Sequence, residues 1–137
     1  MEIKIKNSIV LKTEFLLAVE RLLQSRQMPA KTCIEVNAAI DEIASHVDVL
    51  RRSRRDVALR YCSKKEDGSS QVDEKGNLVF PDIDANKACL KEFAEIGDEY
   101  LTLELTEPVT LYDDENITPI DLRLLGGMVQ VKERPKT

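Results

Sequence analysis

Tryptophan is absent from these 137 residues, and phenylalanine and tyrosine occur three times each. A core without large aromatic plates must be built from Leu, Ile, Val and Ala, as helical bundles usually are. Histidine appears once, at His46, and no second imidazole or partner motif stands ready to make it a general base or a metal ligand. It reads as a surface or half-buried structural residue. Cysteine is scarce too: Cys33, Cys62 and Cys89 are odd in number, far apart and in no zinc-ligand spacing. They read as reduced side chains of a cytosolic protein. No apolar run approaches the roughly 20 residues of a membrane span, and Met1-Glu2-Ile3-Lys4 lacks a signal-peptide profile. The expectation is a cytoplasmic protein that does not engage membranes.

Serine nucleophile elbows, phosphate loops and dinucleotide fingerprints are also missing. Asp113-Asp114-Glu115 lacks the alternating oxygen ligands of a calcium loop and reads as a solvated acidic turn. The chain is therefore expected to be no enzyme and to carry no cofactor and no metal.

What is present is a long regular stripe. Cys33, Val36, Ile40, Ile43, Val47, Leu50, Arg54, Val57 and Tyr61 follow one another at alternating steps of three and four. That spacing lines one side of a single helix from about Ala30 to Tyr61, roughly 48 Å long at about 1.5 Å per residue. Arg54 is the one charge in it. Such a seam serves either the chain's own core or an oligomer of paired spines.

Around this spine, one domain over residues 1–137 is expected, mainly α with some β (α+β). Glu2–Lys6 alternates as a short strand, and Asn7-Ser8 offers a cap for a first helix with a Leu-rich stripe out to about Ser25. The short link at Met28-Pro29 predicts an antiparallel helical hairpin with the longer second helix. The first helix covers only the proximal half of the seam, so Leu50 to Tyr61 must find other company. Residues 63–81 form a polar loop and a small hairpin, with Gly76 in the left-handed position between Val72 and Leu78. A third, acidic helix follows, roughly Ala85 to Tyr100, capped by Asp82 or Asp84, with Cys89, Phe93 and Ile96 inward. Val109–Tyr112 is extended and a candidate partner for the first strand. Thr118-Pro119-Ile120-Asp121 starts a short last helix that Gly126-Gly127 ends, and the tail from Lys132 to Thr137 reads as frayed.

Charge is unevenly distributed. The net charge is −5, yet residues 51–65 sum to +6 and residues 92–121 to −10 with no Lys or Arg. Arg51, Arg52, Arg54, Arg55 and Arg60 are the candidate binding residues, because guanidinium forks suit carboxylates and phosphates alike. Two readings stay open. Carboxylates of the third helix neutralise the arginines internally, or part of the cluster awaits an external anion. The acidic half argues against nucleic acid.

The order of short words, Ile5-Lys6-Asn7-Ser8, then Tyr61 to Gly68, then Gly76-Asn77-Leu78-Val79-Phe80, then Ile117-Thr118-Pro119 to Leu125, resembles a family of small phage-encoded proteins whose domain has no assigned function. The likeness departs at Arg51 to Arg55 and at Gly126-Gly127. It implies a phage origin, an accessory role and the host cell cytoplasm, and it carries no functional residue. The expected function is accordingly non-enzymatic binding of a host protein or an anionic, phosphate-bearing small molecule, of host-takeover or anti-defence type. An oligomeric assembly protein of the virion is the alternative, with an enzyme a distant third.

Overall fold

The structure, a computed structural model, describes residues 1–24 and 27–135. Along the chain run β1 (Glu2–Lys6), α1 (Asn7–Val10), α2 (Thr13–Val19) with a π-helical continuation over Glu20–Gln24, α3 (Ala30–Tyr61), α4 (Ile83–Asp98), β2 (Tyr100–Glu104), β3 (Val109–Tyr112), α5 (Pro119–Leu125), a 3-10 turn (Gly126–Met128) and β4 (Val129–Lys132). The architecture is mainly helical with two small sheets, the expected α+β class. Ser25, the expected end of the first helix, lies outside the described residues.

The spine forms as its spacing predicts, with 32 residues of uninterrupted α-helix entered from Pro29. Its stripe is divided between two apolar clusters. Val36, Ile43, Val47 and Leu50 are buried with Val10, Phe15, Val19 and Leu23 of the first helical segment and with Ile3, Leu103, Leu125 and Met128; Ile40 packs against them, partly buried. Val57 belongs to a second cluster with Ala58 and Cys89, against which Tyr61, Leu78, Phe80 and Phe93 pack. The distal half thus finds its cover in α4 and the 63–81 hairpin. Cys33, at the proximal end, is half-buried and turns its thiol toward the Met28 carbonyl at 3.6 Å.

Several local expectations change. The first helix breaks at Leu11–Lys12, and Lys6 rather than Asn7 occupies its N-cap, without a side-chain bond. Asn7 is instead buried and engaged elsewhere. The third helix stops at Asp98, because Tyr100-Leu101-Thr102-Leu103-Glu104 alternates and takes the strand role. That strand, not Val109–Tyr112, is the partner of β1: the pairing is antiparallel, with Ile3 opposite Leu103. Val109–Tyr112 pairs in parallel with β4, placing Tyr112 beside Lys132. The tail expected to fray from Lys132 is therefore strand at its first residue. Two residues on, Arg134 Nε meets Asp114 Oδ2 at 2.7 Å and its guanidinium lies 4.4 Å over the Tyr112 ring.

Other local features follow the sequence closely. Val72 bridges Leu78 across a turn whose Gly76 has φ +83°. Asp82 caps α4 by accepting from Ala85 N at 2.7 Å. Thr118 caps α5 through Asp121 N, with Pro119 in its first turn and Gly126, at φ +52°, closing it.

Candidate binding face on the distal half of the spine

α4 crosses the distal half of α3, and their contact decides what each arginine does. At the far end, Arg60 Nη2 meets Glu92 Oε1 at 2.9 Å. Glu92 Oε2 is buried with no donor in good geometry, so the nearby Tyr61 hydroxyl acts on the carboxylate without a well-formed bond. Tyr61 first, then Arg60, hold the Glu92 carboxyl below its usual range, and the same carboxylate pushes the Tyr61 phenol up. Here the internal reading of the charges is correct.

One turn back it is not. The residue that α4 presents to Arg54 is Phe93, whose ring lies 4.6 Å beneath the guanidinium. Glu95 and Asp98 of α4, and Glu99 just beyond it, all face solvent. Arg54 is itself exposed and has no carboxylate partner among the described residues. The seam position therefore costs little: the guanidinium keeps its water on one face and rests on an aromatic face with the other. Arg51 and Arg55, one turn apart, are exposed and form no ion pair among the described residues. Arg52 lies farther round the helix, 3.2 Å from Asp48 on a fully solvated side. Of the five arginines singled out, then, one rests on Phe93, two (Arg51 and Arg55) are exposed within one turn of it, one is neutralised by α4, and one pairs along its own helix.

The seam residues Val36, Ile40, Ile43, Val47, Leu50, Val57 and Tyr61 pack within the chain, so the regular stripe serves its own core.

The remaining acidic residues are partly used up in holding the fold. Asp121, largely buried, takes Arg21 Nη2 on both oxygens at 2.8 and 2.7 Å. Glu115 Oε2 accepts from Tyr112 N, and Glu35 accepts from Thr106, which holds the Glu35 carboxyl below its ordinary value. Among the described residues, no group of three or more His, Cys, Asp and Glu is placed to hold a metal ion. Burial alone would push both buried thiols up, and it does so for Cys89. For Cys62, hydrogen bonds from Ser70 and from Lys64, 3.3 Å away, outweigh burial and bring the thiol below its ordinary value. No helix among the described residues is long and apolar enough to cross a membrane.

Among the tertiary connections that sequence reasoning missed are the Arg21–Asp121 pair and a polar knot at Asn7. The amide of Asn7 donates to Ile96 O at 2.9 Å, and its Oδ1 faces His46 Nε2 at 2.7 Å. His46, expected either at the surface or half-buried, is half-buried and makes that bond.

The arginine geometry makes a direct prediction. Arg54→Leu should leave the urea midpoint unchanged or slightly raised, within about 0.5–1 kcal/mol, because only a solvated cation–π contact is exchanged for apolar contact with Phe93. Arg60→Leu should be the more damaging of the two, since it strips the partner from a Glu92 only 28% exposed. Equal losses in parallel denaturation curves would contradict this division.

No family model, curated protein or solved structure matches this chain.

Proposed function

We propose that this is a non-enzymatic accessory protein that acts by binding the acidic surface of another protein through Arg51, Arg54 and Arg55. The observation that carries the reading is the placement of Arg54: stacked on Phe93 and left without a carboxylate, beside two further unpaired arginines. Leu90, one turn from Phe93 on α4, is 54% exposed and adds an apolar rim. Arginine and aromatic side chains dominate the energetics of protein interfaces, and an ordered guanidinium loses little freedom on docking.

The alternative ligand, a phosphate-bearing small molecule, is less well served by the shape. Small ligands are held in concave sites. These arginines line neither the cleft between the start of α3 and β3 nor the groove beside β2. An acidic protein needs no concavity. The layout shared with small phage proteins supports a host protein as the partner and the host cytoplasm as the setting, and the acidic stretch 92–121 disfavours nucleic acid.

The test is affinity capture from host lysate with the wild-type chain and with R51E/R54E/R55E, read by quantitative mass spectrometry. A partner with an acidic surface should be retained by the wild type, lost from the variant and released by high salt. Indifference of every captured protein to the substitutions would overturn the reading. Heat on titration with nucleotides that disappears in Arg54→Ala would replace it with the small-ligand alternative.

A further inference from the structure

With its seam turned inward, α3 still leaves its opposite side open along most of its length. That side carries a stripe of its own at three- and four-residue steps: Ile34, Ala38, Asp41, Ser45, Asp48, Arg52, Arg55 and the half-buried Leu59. Ile34 is 70% exposed and Val49 46%. Beside the stripe, between α3 and β2, runs a shallow groove of about 560 Å³ lined by Asp41, Glu42, Ser45, His46, Val49 and Thr102, with Leu101 at its floor.

The charges on this side change sign along the helix. Asp41 and Glu42 precede the point between residues 46 and 47, and Arg51, Arg52 and Arg55 follow it, outnumbering Asp48 and Asp56 in that half. A sign change of this kind is complementary to itself only when reversed. Two such helices laid parallel would put carboxylate on carboxylate and guanidinium on guanidinium; laid antiparallel, each acidic half meets a basic half.

We propose that the outer side of α3 is a homodimer interface, in which a second copy of this chain lays its own α3 antiparallel along the stripe and into the groove beside β2. A two-fold axis between residues 46 and 47 sets Asp41 against Arg52 of the second copy and Ile34 against Leu59 of the second copy. Because the interface is isologous, every such contact occurs twice. Ser45, small and exposed, lets the helices approach near the axis. The stretch from Ile34 to Leu59 is roughly 39 Å long at about 1.5 Å per residue, long enough for an interface of ordinary size. Arg52 already holds Asp48 of its own helix at 3.2 Å, so docking exchanges a solvated pair for one across the interface. Arg54 and Phe93 lie outside the stripe and stay free.

Light scattering on size-exclusion fractions at micromolar protein tests this. The wild-type chain should run at twice its 15.5 kDa mass. Asp41→Arg alone and Arg52→Glu alone each place like charges opposite one another at two symmetric positions and should weaken the dimer about 100-fold, giving monomers of unchanged circular dichroism. The combined D41R/R52E chain reverses both sides of each pair and should recover the dimer. A wild-type chain that stays monomeric at its highest soluble concentration overturns the proposal. So does a dimer that ignores the single reversals, or one that the combined change fails to restore. Asp41→Arg leaves Arg51, Arg54 and Arg55 in place, so partner capture by this monomeric variant reads those arginines separately from the dimer.

Discussion

Replacing Ile43 by alanine is expected to cost about 3–4 kcal/mol and to lower the urea midpoint without changing the slope of the transition. Ile43 is fully buried at the middle of the larger cluster, where the spine meets the first helical segment and the sheet of β1 and β2. Deleting its outer carbons removes the transfer free energy of those atoms and leaves a void that a 32-residue helix, held along its length, cannot collapse to fill. Against a typical domain stability of about 5–15 kcal/mol, that is a large share. Val57→Ala, in the smaller cluster, removes less volume and should cost about 1–2 kcal/mol. The two clusters are joined by the continuous α3 and by Ile96, which packs against both. Each variant should therefore shift one and the same transition. A separate early step in Val57→Ala, seen by helix signal before the rest unfolds, would show that the distal half melts alone.

Features that depend on neighbours in sequence were legible in advance, and features that depend on distant segments were not. The bounds of α3 follow from its seam spacing and from Pro29 at its entry; the caps at Asp82 and Thr118 follow from side chains two or three residues from the backbone they bond. The parallel pairing of β3 with β4 joins segments on either side of α5, and nothing local to Val109–Tyr112 specifies it. The helical pattern expected from Ala85 runs into Tyr100 and hides the start of β2, and only the alternation that follows, Leu101 and Leu103 inward, betrays the strand. The arginines show the same division. That α4 would cross them was readable from the uncovered distal seam, and Arg60–Glu92 follows. Which face α4 turns toward Arg54 depended on a helix rotation that charge counting does not contain, and Phe93 rather than an acid came to lie there.

Asn7→Ala is expected to cost about 2–3 kcal/mol, more than any other single polar substitution described above, because one side chain joins three segments. Its Nδ2 donates to Ile96 O near the end of α4, its Oδ1 faces His46 in the middle of α3, and its own backbone N–H donates to Glu99 O at 2.8 Å. The donor role toward Ile96 fixes the amide's orientation, so the oxygen must accept, and His46 must carry a proton on Nε2. The close approach of α1 and α4 leaves little slack: a Cβ on Gly97 would stand 3.4 Å from the Ser8 Cβ. Alanine at position 7 would leave the imidazole N–H and part of the Ile96 carbonyl's bonding without the partner that Asn7, only 4% exposed, now provides. His46→Ala should cost less, about 1 kcal/mol, since the ring is only half-buried. In the double variant the two losses should overlap by about 1 kcal/mol, the signature of a direct bond. Additive losses in the double-mutant cycle would mean that Asn7 stabilises α4 alone and that His46 merely lies nearby.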